Sequence, residues 1–136
     1  MLSNRILGSP GFLSFRAAAL PTGSFIGATA PAGNEWRGEE IALNSCVSAG
    51  GVFCSGEFVG GINYLGVEFD ISGQTHYGWV EIESSPIGTR AWIHRWAYET
   101  EPGVGIIAGI PEPSAMLLVL FGGALGLSRR RPEGAG

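Results

Sequence analysis

The fold is decided by the stretch YLGVEFDISGQTHYGWVEIES, residues 64–84. In Tyr64–Ile71, every second residue from Leu65 onward is large and apolar, and the residues between are glycine or acidic. A period of two is typical of a half-buried antiparallel strand. Ser72-Gly73-Gln74 is suited to a tight turn, and a second β-prone run, His76–Ser84, follows it. The stretch therefore predicts two adjacent antiparallel strands.

Short β-prone runs of the same kind lie on both sides of this stretch, separated by glycine and proline. The predicted strands are Glu40–Cys46, Val52–Phe58, Tyr64–Ile71, His76–Ser84 and Ala91–Glu99. The links within 64–99 are too short for a parallel crossover, which needs a dozen residues or more. We therefore predict an all-β fold, a small antiparallel meander or sandwich, followed by a single C-terminal transmembrane helix.

Length and charge limit the classes of function. The 136 residues leave room for one domain of about 100 residues and a tail. Residues 1–109 carry five arginines against ten acidic residues, a net charge of −5, and the chain has no lysine. An acidic body without a basic patch argues against nucleic acid as a partner.

The C-terminal segment combines three features in a fixed order: Pro111-Glu112-Pro113-Ser114, the apolar run Ala115–Ser128, and Arg129-Arg130-Arg131. The prolines keep the residues around them extended, a shape that a protease cleft can hold. As a helix, Ala115–Leu127 is roughly 20 Å long at about 1.5 Å per residue, short of a hydrocarbon layer of about 30 Å. The arginines can extend the span by snorkelling and orient it with its basic end in the cytoplasm. The alternatives are a permanent membrane anchor or a buried helix with a solvated basic end.

This order of features resembles the PEP-CTERM sorting signal, which an exosortase, a membrane-embedded cysteine transpeptidase, reads and cleaves. The body is similar to that of such proteins at GQTHYGW, residues 73–79, and at AYET, residues 97–100, so the resemblance covers about half of the chain. It implies an exported, non-enzymatic protein without a cofactor, processed by an exosortase and linked to exopolysaccharide or biofilm. The implied location is transiently the inner membrane, then the cell surface or extracellular matrix.

The chain accordingly divides into four segments. Residues 1–34 are expected to be loop-like or a degenerate export segment: Arg5 and Arg16 are basic and Ala28-Thr29-Ala30 fits a cleavage site, but Ala17–Gly27 is only weakly apolar. Either this signal is poor or the chain begins inside a longer protein. An antiparallel β domain is expected at 35–109, the sorting tail at 110–131 and a disordered end at 132–136.

Two cysteines, Cys46 and Cys54, flank a loop with Gly50-Gly51 near its centre. In the oxidising compartment that an export tail implies, such a pair favours a disulfide. The alternative is two free buried cysteines. A metal site is not expected, because neither a CxxC pair nor a neighbouring histidine accompanies them.

Aromatic residues are concentrated in the last two predicted strands. Tyr77 and Trp79 share one face of their strand, and Trp92, His94, Trp96 and Tyr98 share one face of the next. If both faces coincide, five rings form one surface that could stack on sugar rings outside the cell. The alternative, which a small domain favours, is that these rings fill the core. Trp36 is isolated in the sequence and is assigned no role.

The sequence gives little support for catalysis. No serine lies in a GxSxG context, so a Ser-His-Asp triad with Asp70, the only aspartate, is not indicated. His76 and His94 lack a third metal ligand, and His76 is interpreted as a hydrogen-bonded turn residue. Glu81 and Glu83 share a strand face about 7 Å apart, a separation that would suit a glycosidase pair, but alternate acids usually form a solvated face.

Three functions remain open. The first is a non-enzymatic surface or matrix protein that an exosortase sorts and cleaves. The second is a carbohydrate-binding module with an exposed aromatic face, and the third, with the least support, is a hydrolase.

Overall fold

The computed structural model describes residues 4–11, 15–38 and 41–110. These residues form ten strands: β1 Arg5–Pro10, β2 Phe15–Ala17, β3 Phe25–Ile26, β4 Glu35–Arg37, β5 Asn44–Ser48, β6 Val52–Gly56, β7 Gly61–Ile71, β8 Gln74–Ser84, β9 Ala91–Tyr98 and β10 Ile106–Ile107. Within these ranges the chain contains no helix, hence none able to cross a membrane. The all-β prediction is confirmed here, and the predicted helix at Ala115–Ser128 lies outside the described residues.

The centre of the fold is the antiparallel meander β7–β8–β9. All eleven residues of β7 pair with β8, from Gly61 opposite Ser84 to Ile71 opposite Gln74. Ser72 and Gly73 form the turn between them with φ of 54° and 82°, the backbone that a two-residue hairpin of this twist requires. Asp70 Oδ1 accepts a 3.0 Å hydrogen bond from the Gly73 amide and holds the turn. The prediction that His76–Ser84, now part of β8, pairs antiparallel with the strands before and after it is confirmed by its pairing with β7 and β9.

The expectation that residues 1–34 are loop-like is wrong for the residues described there. Strand β1 pairs antiparallel with β7, with Arg5 opposite Glu68, and it also pairs with β2 and β4. The result is a six-stranded sheet ordered β2-β1-β7-β8-β9, with β4 on β1. Leu7 is fully buried, and the Arg5 guanidinium bonds Glu68 at 2.6 Å. These tertiary contacts stabilise β1 as a strand, although Gly8 and Pro10 do not favour a strand in the sequence.

One face of this sheet, called here the inner face, carries the main core. The two-stranded sheet of β3 and β10 packs against it through Ile26 and Ile106, which pair with each other. The buried members of this core are Leu7, Ala18, Leu20, Ile26, Tyr64, Tyr77, Trp79, Ile106 and Ala108. Trp36, which has no evident role in the sequence, packs against Tyr77 at 5.8 Å and donates its indole N–H to Gly27 O.

Strand β7 turns its less apolar side towards this core. Tyr64, Gly66 and Glu68 are buried, whereas Leu65, Val67 and Phe69 of the apolar series are only half-buried and Ile71 is exposed. Gly66 is needed because a Cβ atom there would lie 2.5 Å from Leu7 Cδ1. The alternation therefore predicts the strand correctly, but the apolar side chains of the series lie on the face of the sheet that points away from the main core.

Among the residues that the structure describes, that opposite side, called here the outer face, is covered at one end only. A second core cluster of Ala17, Phe58 and Ile82 buries it there. The hairpin β5–β6 is a separate two-stranded sheet, and Asn44 ties it to the rest by accepting a 3.2 Å hydrogen bond from the Phe58 amide and donating a 3.1 Å bond to Gly88 O. Its first strand begins at Asn44, later than the predicted Glu40, while the second begins at Val52 as predicted.

Candidate functional site

A β-bulge in β9 decides where the aromatic side chains lie. Before the bulge Trp96 is opposite Val80 and Arg95 is opposite Glu81, but after it Ile93 is opposite Ile82 and His94 is the extra residue. Directly opposed residues of an antiparallel pair project to the same side of the sheet. An extra residue in one strand shifts its alternation by one position. Trp92, opposite Glu83, therefore projects to the inner side, and Trp96 projects to the outer side.

The five predicted stacking residues consequently do not form one surface. Tyr77 and Trp79 belong to the inner core, with 4% and 1% of their surface exposed. The core interpretation is correct for these two rings. Trp92 is 49% exposed on the inner side, and Trp96 is 67% exposed on the outer face, where Tyr98 is half-buried. Only Trp96 and Tyr98 of the five remain together at an accessible place.

These two rings border a depression in the open half of the outer face, called here the aromatic groove. Its volume is about 340 Å³, and the outer-face side chains lining it are Val67, Phe69, Ile71, Val80, Trp96 and Tyr98. The Trp96 and Tyr98 rings are 6.1 Å apart and nearly parallel, at 15°. The Phe69 and His76 rings contact Tyr98 edge-on at 5.5 and 6.4 Å. These edge contacts hold Tyr98 in place, and the stacked pair of Trp96 and Tyr98 is called here the platform.

A second depression of about 350 Å³ adjoins the aromatic groove and shares Ile71 and Tyr98 with it. We call it the polar pocket, and the residues it adds are Ser72, Gln74, His76, Thr100 and Pro102. His76 is 4% exposed, and its Nδ1 lies 2.8 Å from Glu99 O. Because a carbonyl only accepts, Nδ1 carries the proton and Nε2 is the acceptor of the neutral ring. The predicted turn role of His76 is corrected, since it is a buried residue of β8.

The inner face holds two carboxylates in hydrogen-bonded sites. Glu81 is buried and accepts bonds from the Tyr64 hydroxyl at 2.7 Å and Arg95 Nε at 2.8 Å, which corrects its assignment to a solvated face. The Tyr64 bond, followed by the bond from Arg95, lowers the pKa of the Glu81 carboxyl. Burial, and next the charge of Glu68, raises the pKa of Tyr77. Glu81 is thus bonded to Tyr64 and Arg95, and it lines neither the aromatic groove nor the polar pocket.

The remaining polar candidates are dispersed. His94 pairs with the exposed side chain of Glu83, on the side of the sheet opposite to His76. Asp70 is occupied in the turn that precedes β8. In residues 4–11, 15–38 and 41–110, no group of three or more histidine, cysteine or acidic side chains could hold a metal ion.

The predicted disulfide is confirmed. Cys46 and Cys54 lie opposite each other in β5–β6 with their Cα atoms 4.0 Å apart, and the two sulfurs are bonded. Beyond the bridge, Val47 and Phe53 form a directly opposed pair that is more than half exposed, near the Gly50-Gly51 turn. The bridge therefore closes an exposed hairpin.

The predicted sorting residues, Pro111-Glu112-Pro113-Ser114 and Arg129–Arg131, lie outside the described residues. The sequence does not indicate that Phe69 lines the aromatic groove or that Gln74 and His76 line the polar pocket. The signal for Phe69 is its place in the apolar series of β7, but the face of that series is set by tertiary packing. Comparisons of the chain with family models, with curated proteins and with solved structures find no match.

Proposed function

We propose that this chain is a non-enzymatic exported protein whose β domain is delivered to the cell surface or extracellular matrix by an exosortase. In this proposal the enzyme recognises Pro111-Glu112-Pro113-Ser114 while Ala115–Ser128 is in the inner membrane, and cleavage there releases the β domain. The released protein works by binding, in association with exopolysaccharide or biofilm.

The observation that carries the proposal is the order of the three tail features in the sequence. A Pro-Glu-Pro cluster, an uncharged apolar run and three consecutive arginines follow one another without interruption. The apolar run is short for a permanent anchor, and the arginines give it an orientation with the β domain on the external side. A processed signal needs all three properties, whereas a permanent anchor does not need the prolines.

Two features of the β domain agree with this route. Strand β10 ends at Ile107, and three residues of sequence separate it from Pro111. A protease would therefore meet its recognition sequence directly beside the domain. The Cys46–Cys54 bridge belongs to an exposed hairpin, and exposed disulfides persist in oxidising compartments.

The test is mass spectrometry of the protein recovered from the surface of a host with an active exosortase. We expect a mature C-terminus near Pro111–Ser114, and an intact chain through Gly136 when the exosortase gene is deleted. Replacing Pro111 and Pro113 with alanine should block cleavage but not membrane insertion, and Pro86→Ala, in the exposed turn after β8, is the matched control. Replacing Arg129–Arg131 with glutamate should also impair orientation, with Arg90→Glu as its control. Mature protein that keeps its C-terminus through Gly136 beside an active exosortase would show that the segment is a permanent anchor.

A further inference from the structure

On the open half of the outer face, an apolar depression and a more polar one adjoin each other at Ile71 and Tyr98. The aromatic groove supplies Trp96 and Tyr98 as nearly parallel rings, and the polar pocket begins on the other side of Tyr98. Each part is about 340 to 350 Å³, within the size of small-molecule sites. Such sites are mostly apolar with a few polar groups that fix orientation.

The platform is held in place before any ligand arrives. Tyr98 contacts Phe69 at 5.5 Å and His76 at 6.4 Å, and both of these rings lie on paired positions of β7 and β8. His76 is itself fixed by its bond to Glu99 O. A ring that is already immobile loses little conformational freedom on binding, so its contact is more effective.

The absence of charged side chains from the described lining of the two depressions limits the class of ligand. Among the described residues that line the two parts, none is a lysine, arginine, aspartate or glutamate. The body around them has a net charge of −5, so an acidic polymer would meet repulsion. The arginines of the neighbouring depression, Arg5 and Arg37, already pair with Glu68 and Glu35. A purely apolar ligand would offer no hydrogen-bond partner to the amide of Gln74 or to Nε2 of His76, whose Nδ1 is already bonded to Glu99 O.

We propose that the aromatic groove and the polar pocket bind a neutral glycan built of hexopyranose units with equatorial hydroxyls. The two faces of such a sugar ring present C–H groups and are apolar and flat, so they can stack on Trp96 and Tyr98. Its hydroxyls lie at the ring edge, where Gln74 can donate and accept and His76 Nε2 can accept. An extended chain of these sugars places one unit on the platform and the next in the polar pocket.

This inference rests on the proposed function for the place where the glycan is met, outside the cell. Binding itself depends only on the β domain, so it is measured without any processing step. A failure of glycan binding therefore leaves exosortase cleavage unaffected, and a failure of cleavage leaves glycan binding unaffected.

The experiment is calorimetric titration of the purified full chain, in parallel with tryptophan fluorescence. Cellohexaose and laminarihexaose are the neutral probes, and hexagalacturonate is the acidic one. We expect at least one neutral probe to bind and to change the fluorescence, with no measurable binding of hexagalacturonate. Trp96→Ala should weaken binding about tenfold or more, because it removes one stacking ring. Gln74→Ala should weaken it by a smaller factor.

The bulge provides a matched control, because Trp92 is an exposed tryptophan of the same strand on the opposite side of the sheet. Trp92→Ala should leave binding unchanged. Both side chains are substantially exposed, so folding is not at risk, and circular dichroism verifies it for each variant. Equal loss in the two variants would overturn the proposal, as would no binding of either neutral probe. Tighter binding of hexagalacturonate would also contradict it.

Discussion

Tyr64 and Glu81 lie directly opposite each other on β7 and β8, and the Tyr64 hydroxyl donates a 2.7 Å hydrogen bond to Glu81 Oε2. The same pairing occurs in reverse four residues further along β7, where Glu68 is opposite Tyr77. Between the two pairs, Gly66 faces Trp79. Arg95 closes the first pair, and Arg5 bonds the carboxylate of the second. The inner face therefore buries two carboxylates without leaving either unpaired, which makes their burial tolerable.

Tyr64→Phe should destabilise the domain by about 1–3 kcal/mol, because it removes a hydrogen bond to a charged group and leaves Glu81 Oε2 with the bond from Arg95 alone. Tyr64 contacts the Trp79 ring edge-on, with 5.3 Å between the ring centroids. The phenyl ring of the variant keeps this contact, so packing should change little. The measurement is urea unfolding. The control is Tyr98→Phe, since the Tyr98 hydroxyl makes no hydrogen bond within the described residues. Equal stability of the two variants would contradict this role for the Tyr64 hydroxyl.

The Glu81 network predicts an acid-sensitive stability. Hydrogen bonds from Tyr64 and Arg95 hold the pKa of the Glu81 carboxyl below 4.5, its ordinary value. A carboxyl with a lowered folded-state pKa adds stability above its unfolded-state pKa, and this contribution is lost as the pH falls through the folded-state value. The free energy of unfolding should therefore decrease as the pH falls below about 4.5. In Glu81→Gln this decrease should be smaller, whereas the exposed Glu101→Gln should follow the wild-type profile. If the free energy of unfolding falls equally with pH in the wild type and in Glu81→Gln between pH 3 and 7, Glu81 is not the group responsible.

The sequence predicts the meander well because its information is local. Alternation in Tyr64–Ile71, the Ser72-Gly73 turn and short links determine β7, β8 and β9 with little help from the rest of the chain. The disulfide is predictable for the same reason, since two cysteines around a glycine turn become opposed residues of a hairpin.

The parts that the sequence does not predict depend on distant residues. Strand β1 exists because Arg5 and Ile6 pair with Glu68 and Val67, more than sixty residues away. The choice of buried face follows from the β3–β10 layer, which no local pattern reveals. The bulge at His94 adds a single residue, and alternation alone gives no sign of it. That one residue separates Trp92 from Trp96 and thus reduces the predicted aromatic surface to the aromatic groove.

Gly78→Ala should weaken the pairing of β8 with β9. A Cβ atom at this position would lie 2.7 Å from Ala97 O and 3.0 Å from Tyr98 Cβ, and a backbone carbonyl in a strand cannot easily move aside. We expect a loss of about 1–3 kcal/mol in urea unfolding, as for other overpacked positions. Because the crowded atoms belong to Ala97 and Tyr98, the segment of β9 that carries Tyr98 must shift, and glycan binding should weaken too. Gly51→Ala is the control, since its Cβ would meet only Phe53 at an ordinary 3.6 Å. No difference in stability between the two variants would refute this constraint.

Reduction of the Cys46–Cys54 bridge should loosen the β5–β6 hairpin without unfolding the sheet. The bridge spans eight residues of sequence, and closing a loop of that size is worth about 2.5 kcal/mol in the chain-entropy treatment. The hairpin is a separate two-stranded sheet with Val47 and Phe53 exposed, so few packed contacts can replace the bridge. Hydrogen exchange followed by NMR should show faster exchange for the Val47 and Phe53 amides after reduction, because these two residues form the hydrogen-bonded pair next to the bridge. Amides in the β7–β8 ladder, such as that of Val67, should keep their protection. The double variant Cys46→Ser, Cys54→Ser should reproduce the reduced state, which separates the loss of the bond from any effect of the reductant. If reduction instead accelerates exchange in β5–β6 and β7–β8 to the same extent, the bridge supports the whole domain and the hairpin is not an independent unit.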